Sequence, residues 1–151
     1  MSGYLLDTNV ISDLAPGKPM VPAVFSEWIA DQGQSGNLFI SSITVCEIKK
    51  GVSKLRRNGA DKRADALDVW LSELVAMFSD YILPVDVAVA LIAGPMGDNA
   101  AARGRDPGFA DILIASTAHG QGLTVVTRNI KHFDHLDVSV ERPVGDIQQS
   151  S

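Results

Sequence analysis

The sequence predicts an α/β protein, a three-layer α/β/α sandwich around a mainly parallel central sheet. Short apolar runs recur along the chain: Tyr4-Leu5-Leu6, Leu38-Phe39-Ile40, Ile82-Leu83-Pro84-Val85 and Leu123-Thr124-Val125-Val126. Between them lie longer stretches whose apolar residues fall at three- and four-residue steps, the spacing of a helix with one buried stripe. The runs are nearly continuous rather than alternating, as strands covered on both faces require. Crossover helices between parallel strands supply that cover.

Each element has a local justification. Tyr4 to Asp7 reads as a buried strand and Thr8 to Leu14 as a helical turn, broken by Pro16-Gly17-Lys18-Pro19. Val21 to Asp31 resumes a helix, with Val24, Phe25 and Trp28 expected to face inward. After the strand at 38–40, Thr44 to Leu55 forms an amphipathic helix with Val45, Ile48, Val52 and Leu55 on one side. A longer helix covers Asp61 to Ser79. The strand Ile82 to Val85 leads to Asp86, a suitable cap for the next helix, which Gly94-Pro95-Met96-Gly97 is expected to kink or divide. Asp106-Pro107 resembles a capped helix start, and Phe109 to Ala118 is apolar on nearly every side, as in a buried helix. Leu123 to Val126 is a strand, and Val138 to Val140 an edge strand. One domain is expected over residues 1–143, with 144–151 as a frayed tail.

Composition narrows the class. With 151 residues, 46% hydrophobic and 21% charged, the chain suits one soluble globular domain. No apolar stretch approaches the ~20 residues of a membrane span. The N-terminus opens on a strand rather than a signal peptide, and the single cysteine, Cys46, fits a reducing compartment, so a cytoplasmic location is expected. Cys46 itself reads as a small buried packing residue. The net charge of −5 argues against broad adhesion to nucleic acid, although acidic metal ligands contribute to that count.

The chemistry lies in acids set in distant contexts. Asp7 ends the first strand, Glu47 sits in the helix after the second, and Asp111 interrupts the apolar run Phe109-Ala110-Asp111-Ile112-Leu113-Ile114-Ala115. A carboxylate in an apolar segment is costly unless compensated, and a divalent cation shared by convergent carboxylates would compensate it. Functional groups of parallel sheets collect beyond the carboxyl ends of the strands, where Asp7, Asn129 and the starts of the helices bearing Glu47 and Asp111 all fall. Each acid also has a bland reading. Asp7 suits a cap for the turn at Thr8, Glu47 a surface pair with Lys50, and Asp111 a buried bond or an ion pair with Arg103, Arg105 or Arg128. Thr8, Asn9 and Thr44 either orient ligands and water or make turn hydrogen bonds. His132-Phe133-Asp134-His135 reads as a short loop anchored by Phe133 rather than a metal pair. The basic run Lys49, Lys50, Lys54, Arg56 and Arg57 reads first as a solvated face; Arg128 is better placed to meet a substrate.

Four motifs in order resemble the PIN-domain family: Leu5-Leu6-Asp7-Thr8-Asn9-Val10-Ile11-Ser12, Ser41-x-x-Thr44-x-x-Glu47-Ile48, Ala110-Asp111-x-Leu113-Ile114-Ala115 and Thr127-Arg128-Asn129-x-x-x-Phe133. The likeness runs from about Tyr4 to Pro143 and is nearest to the VapC and FitB-like toxin branch. It implies the α/β/α fold, dependence on Mg²⁺ or Mn²⁺, and endoribonuclease activity restrained by a cognate antitoxin. It also implies a homodimer held in a toxin–antitoxin hetero-oligomer. Asp7, Glu47 and Asp111 fall on the family's core acidic positions, the expected metal ligands. Asn129 stands where many members carry Asp; its amide oxygen can coordinate but brings no charge, and Asp134 is the nearest substitute acid. The competing expectation is an inactive or weak PIN-fold module that only binds an antitoxin. A receiver-like phosphorylation domain would need an acceptor Asp after a middle strand, a strand-end Lys and an earlier acidic pair, and the sequence holds no matching arrangement.

Overall fold

The computed structural model describes residues 3–146. Five strands, β1 (Tyr4–Leu6), β2 (Leu38–Ser41), β3 (Ile82–Leu83), β4 (Thr124–Val126) and β5 (Ser139–Glu141), form one sheet in the order β3-β2-β1-β4-β5. Every pairing is parallel. The chain leaves central β1 for β2 and β3 on one side, then returns to β4 on the other. The point where strand order reverses therefore lies between β1 and β4, and a crevice opens beyond their carboxyl ends.

The three layers follow from the two-residue period of a strand, which sends successive side chains to opposite faces. Leu5 and Val125, both fully buried, pack with Ile112, Ala115 and Met96 of α5 (Val87–Ala102) and α6 (Phe109–Gln121). Leu6 and Val126 point the other way, against Val10 and Ile11 of α1 (Thr8–Ser12), Phe25 of α2 (Ala23–Gln34), Ile48 of α3 (Ser42–Arg57) and Leu71 and Leu74 of α4 (Asp61–Phe78). Each such fully buried aliphatic or aromatic side chain contributes roughly 1.5–3 kcal/mol. No helix among the described residues is long and apolar enough to cross a membrane.

Several local expectations are corrected. Val24 is 49% exposed while Phe25 is buried, so the inward stripe of α2 starts one residue later. Phe109 is 76% exposed: α6 begins at its level, and only from Ile112 onward is the helix enclosed. Asp106 does not cap α6; its N-cap is Gly108 at φ 98°, without a side-chain cap, a conformation that favours glycine. Gly94-Pro95 does not divide α5, which is continuous from Val87 to Ala102. Ala93, Met96 and Ala100 on its buried side pack with α6, while Gly94 and Pro95 face outward. The lost proline N–H thus falls on the solvated side. Cys46 is exposed rather than packed inside. Of the expected tail, Val144 and Gly145 form a turn near Pro22 and Val24, and residues 147–151 lie outside those described.

Candidate active site

Asp7 is placed by the central strand of the sheet, β1. It follows Leu6, is only 5% exposed, and its backbone N–H donates to the Val126 carbonyl at 2.9 Å, which sets it at the β1–β4 crevice. Its Oδ1 accepts from the Thr8 N–H at 2.8 Å, capping α1. Its Oδ2 accepts from the buried Thr127 hydroxyl at 2.8 Å and from Asn9 Nδ2 at 3.2 Å. Asn9 also ties the two strand ends together: its amide reaches Thr127 Oγ1 at 3.3 Å, and its Oδ1 accepts from the Arg128 N–H at 3.3 Å. Asp7 is thus both the cap expected of it and the centre of a larger network.

Glu47 comes from the second turn of α3, a helix capped where Ser41 Oγ accepts from the Ile43 N–H at 3.0 Å. The Thr8 hydroxyl donates to Glu47 Oε1 at 2.5 Å and lies 2.9 Å from the hydroxyl of buried Thr44. Glu47 is therefore held from α1, and no ion pair to Lys50 forms. Asp111 comes from the first turn of α6. Its partner is none of the three arginines but His132, whose Nδ1 stands 2.9 Å from Oδ2. His132 lies on α7 (Ile130–Phe133), a single turn anchored by fully buried Phe133.

The electrostatics are those of a negative cluster. Burial pushes the Asp7 carboxyl up to about 6, against the lowering effect of the Thr127 and Thr8 bonds, and the charges of Asp111 and Glu47 add to the rise. Asp111 is also raised, by burial first and then by Glu47, with the His132 bond opposing. Among the described residues, no Lys or Arg forms an ion pair with Asp7, Glu47 or Asp111. Nor do three His, Cys, Asp or Glu side chains stand close enough there to make a finished cage. The oxygen donors still suit a hard divalent cation that keeps several waters and takes only one or two carboxylates from a protein.

The other candidates are distributed around this cluster. Asn129 caps α7 without a side-chain bond; its N–H donates to Thr127 Oγ1 at 3.0 Å. Asp134 does not join the acids: it ends α7, with its carboxylate 3.6 Å from His135. The Arg128 guanidinium is turned onto Asp13, with Nε 2.9 Å from Oδ2 and Nη2 3.1 Å from Oδ1, so its charge is already matched. In the basic run, Lys49 pairs with Asp68 at 2.7 Å and Arg56 with Asp65 at 2.8 Å. Sequence reasoning gave Thr127 no role beyond its place in a motif and read His132 as part of a short loop rather than as a partner of the acids. The signal for Thr127 was a hydroxyl residue one step past a strand end, opposite Asp7; that for His132 was its position one turn beyond Asn129.

A family profile described as PIN domain matches residues 4–138, the span that carries every group in this cluster. The chain belongs to the PIN-domain family. Among the relatives of this PIN domain is "Toxin FitB" of Neisseria gonorrhoeae, 36% identical over 143 residues, which span 94% of this chain and 99% of the relative. "VapC ribonuclease Y4jK" of Sinorhizobium fredii is 30% identical over 140 residues, 92% of this chain and 96% of the relative. The solved structure of FitAcB from Neisseria gonorrhoeae superposes with a TM-score of 0.78 at 34% identity, covering 93% of this chain and 97% of that one.

Proposed function

We propose that this PIN domain is a Mg²⁺- or Mn²⁺-dependent endoribonuclease and the toxin member of a toxin–antitoxin pair. The observation that carries the reading is three mutually repelling carboxylates, Asp7, Glu47 and Asp111, gathered beyond the strand ends without a Lys or Arg partner among the described residues. Such an arrangement is costly unless a cation relieves it. Relatives named as a toxin and as a ribonuclease add support.

In this reading Asp7 and Asp111 hold the cation, and Glu47, steadied by Thr8 and Thr44, orients the attacking water. A bound divalent ion supplies positive charge against the phosphoryl oxygens and acidifies water for attack. Thr127 and Asn9 keep the Asp7 carboxylate in one rotation across the crevice. Asn129 contributes amide polarity without charge. Arg128, matched by Asp13, shapes the rim rather than lending a free cation. The partners are an RNA substrate, a cognate antitoxin and a second copy of the chain in a cytoplasmic hetero-oligomer.

The test is to incubate antitoxin-free protein with total RNA in Mg²⁺, Mn²⁺ or chelator and sequence the new ends. Discrete cuts are expected with metal and none with chelator. Asp7→Asn and Asp111→Asn should reduce cleavage to background while remaining folded by circular dichroism. Cleavage persisting in both folded variants would overturn the site. The second reading, an antitoxin-binding module without catalysis, draws on the uncharged Asn129 and predicts neither cuts nor Mn²⁺ binding.

A further inference from the structure

Among the described residues, His132 is the one imidazole bonded to the acidic cluster. An ionised carboxylate can only accept, so with Asp111 ionised the 2.9 Å contact between its Oδ2 and His132 Nδ1 is made by the Nδ1–H tautomer of the ring. The contact joins α6 to α7 across 21 positions of the chain. Phe133, with no exposed surface, fixes the turn on which His132 sits. The Asp111 side chain is 20% exposed and that of His132 51%, so the ring lies at the rim with the carboxylate below it.

Each acid has a protein donor on a defined oxygen. Asp7 has both oxygens engaged, by the Thr8 N–H on one and by Thr127 and Asn9 on the other. Glu47 has Oε1 held by Thr8. Asp111 has Oδ2 held by His132, and among the described residues no protein donor reaches its Oδ1.

We propose that His132 is a positioning residue for Asp111: its Nδ1–H fixes the rotation of the carboxylate by holding Oδ2, and so presents Oδ1 to the divalent cation. The proposal rests on the metal-site reading above and assigns His132 no ligand role of its own. Partners of this kind change metal affinity because an ordered ligand needs less rearrangement to bind. If the same contact instead blocked Asp111, its removal would act in the opposite direction.

Calorimetric titration of metal-free protein with Mn²⁺, in the absence of RNA, separates these outcomes. His132→Leu should weaken Mn²⁺ binding about 10- to 100-fold. His132→Asn places an amide N–H at the branch position of Nδ1 and should restore most of that loss; His132→Gln, one methylene longer, should not. A merely structural role would not distinguish Asn from Gln, and melting curves verify that all three variants are folded. Unchanged or tighter binding by His132→Leu, with Asp111→Asn still abolishing binding, would overturn the proposal alone. Mn²⁺ binding that survives Asp111→Asn would overturn the metal-site reading and this proposal with it.

Discussion

Asp7 carries an energetic cost that sets its own pH dependence. Its folded pKa of about 6 lies above the usual 3.8, so between those values the folded chain binds a proton that the unfolded chain releases. The contribution of this group to stability is therefore complete below pH 3.8 and is lost as pH rises through about 6. A rise of about two pH units corresponds to about 3 kcal/mol at 1.36 kcal/mol per unit. In chelator, Asp7→Asn should be more stable than the parent by about 1–3 kcal/mol at pH 8, with the difference closing by pH 4. Urea melts at the two pH values measure it; a difference independent of pH would show that Asp7 is ionised in the fold at no cost. The sequence made this residue legible because an acid at the end of an apolar run stands out. Thr127 and His132 were harder to read, since nothing local pairs a hydroxyl with an acid 120 residues away or an imidazole with one 21 residues away. Those contacts depend on strand order.

At the scale of elements, ends were less legible than existence. The helical period placed α3, α4 and α6 where they occur, but propensity put a break at Gly94-Pro95 that packing against α6 overrides. Burial at helix edges was misread in the same way: Val24, Cys46 and Phe109 are apolar or small, yet each sits just off the enclosed stripe. The end of α4 holds the one non-glycine residue with positive φ among those described, Ser79 at φ 45° and ψ −114°. A side chain there is strained. Ser79→Gly should raise stability by about 1 kcal/mol, or roughly 2–4 °C in Tm for a chain of this size. A thermal melt that falls instead would mean that Ser79 supplies a contact outweighing its strain.

The whole molecule is acidic, with 18 acids against 13 Lys and Arg, and two cations of its basic run are already matched by α4. Recognition of RNA in the proposed function then depends more on a bound cation than on protein charge. A non-cleavable RNA analogue should bind weakly in chelator, with a shallow dependence on salt, and more tightly in Mn²⁺. Tight metal-free binding with a steep salt slope would instead reveal many phosphate contacts.

The central position of β1 also governs when the protein can act. Its strand pairs on one side with β2 but on the other with β4, Tyr4 opposite Thr124 through Leu6 opposite Val126. A chain still being synthesised lacks that second neighbour until Thr124 to Val126 have been made, and until then its first strand has an unpaired edge. The residue that steadies Asp7 arrives at the same moment, because Thr127 directly follows β4. A fragment that ends before residue 124 lacks both β4 and Thr127, and in the proposed function it should cleave no RNA. In the proposed function, timing of this kind would spare the translating cell from a half-made enzyme.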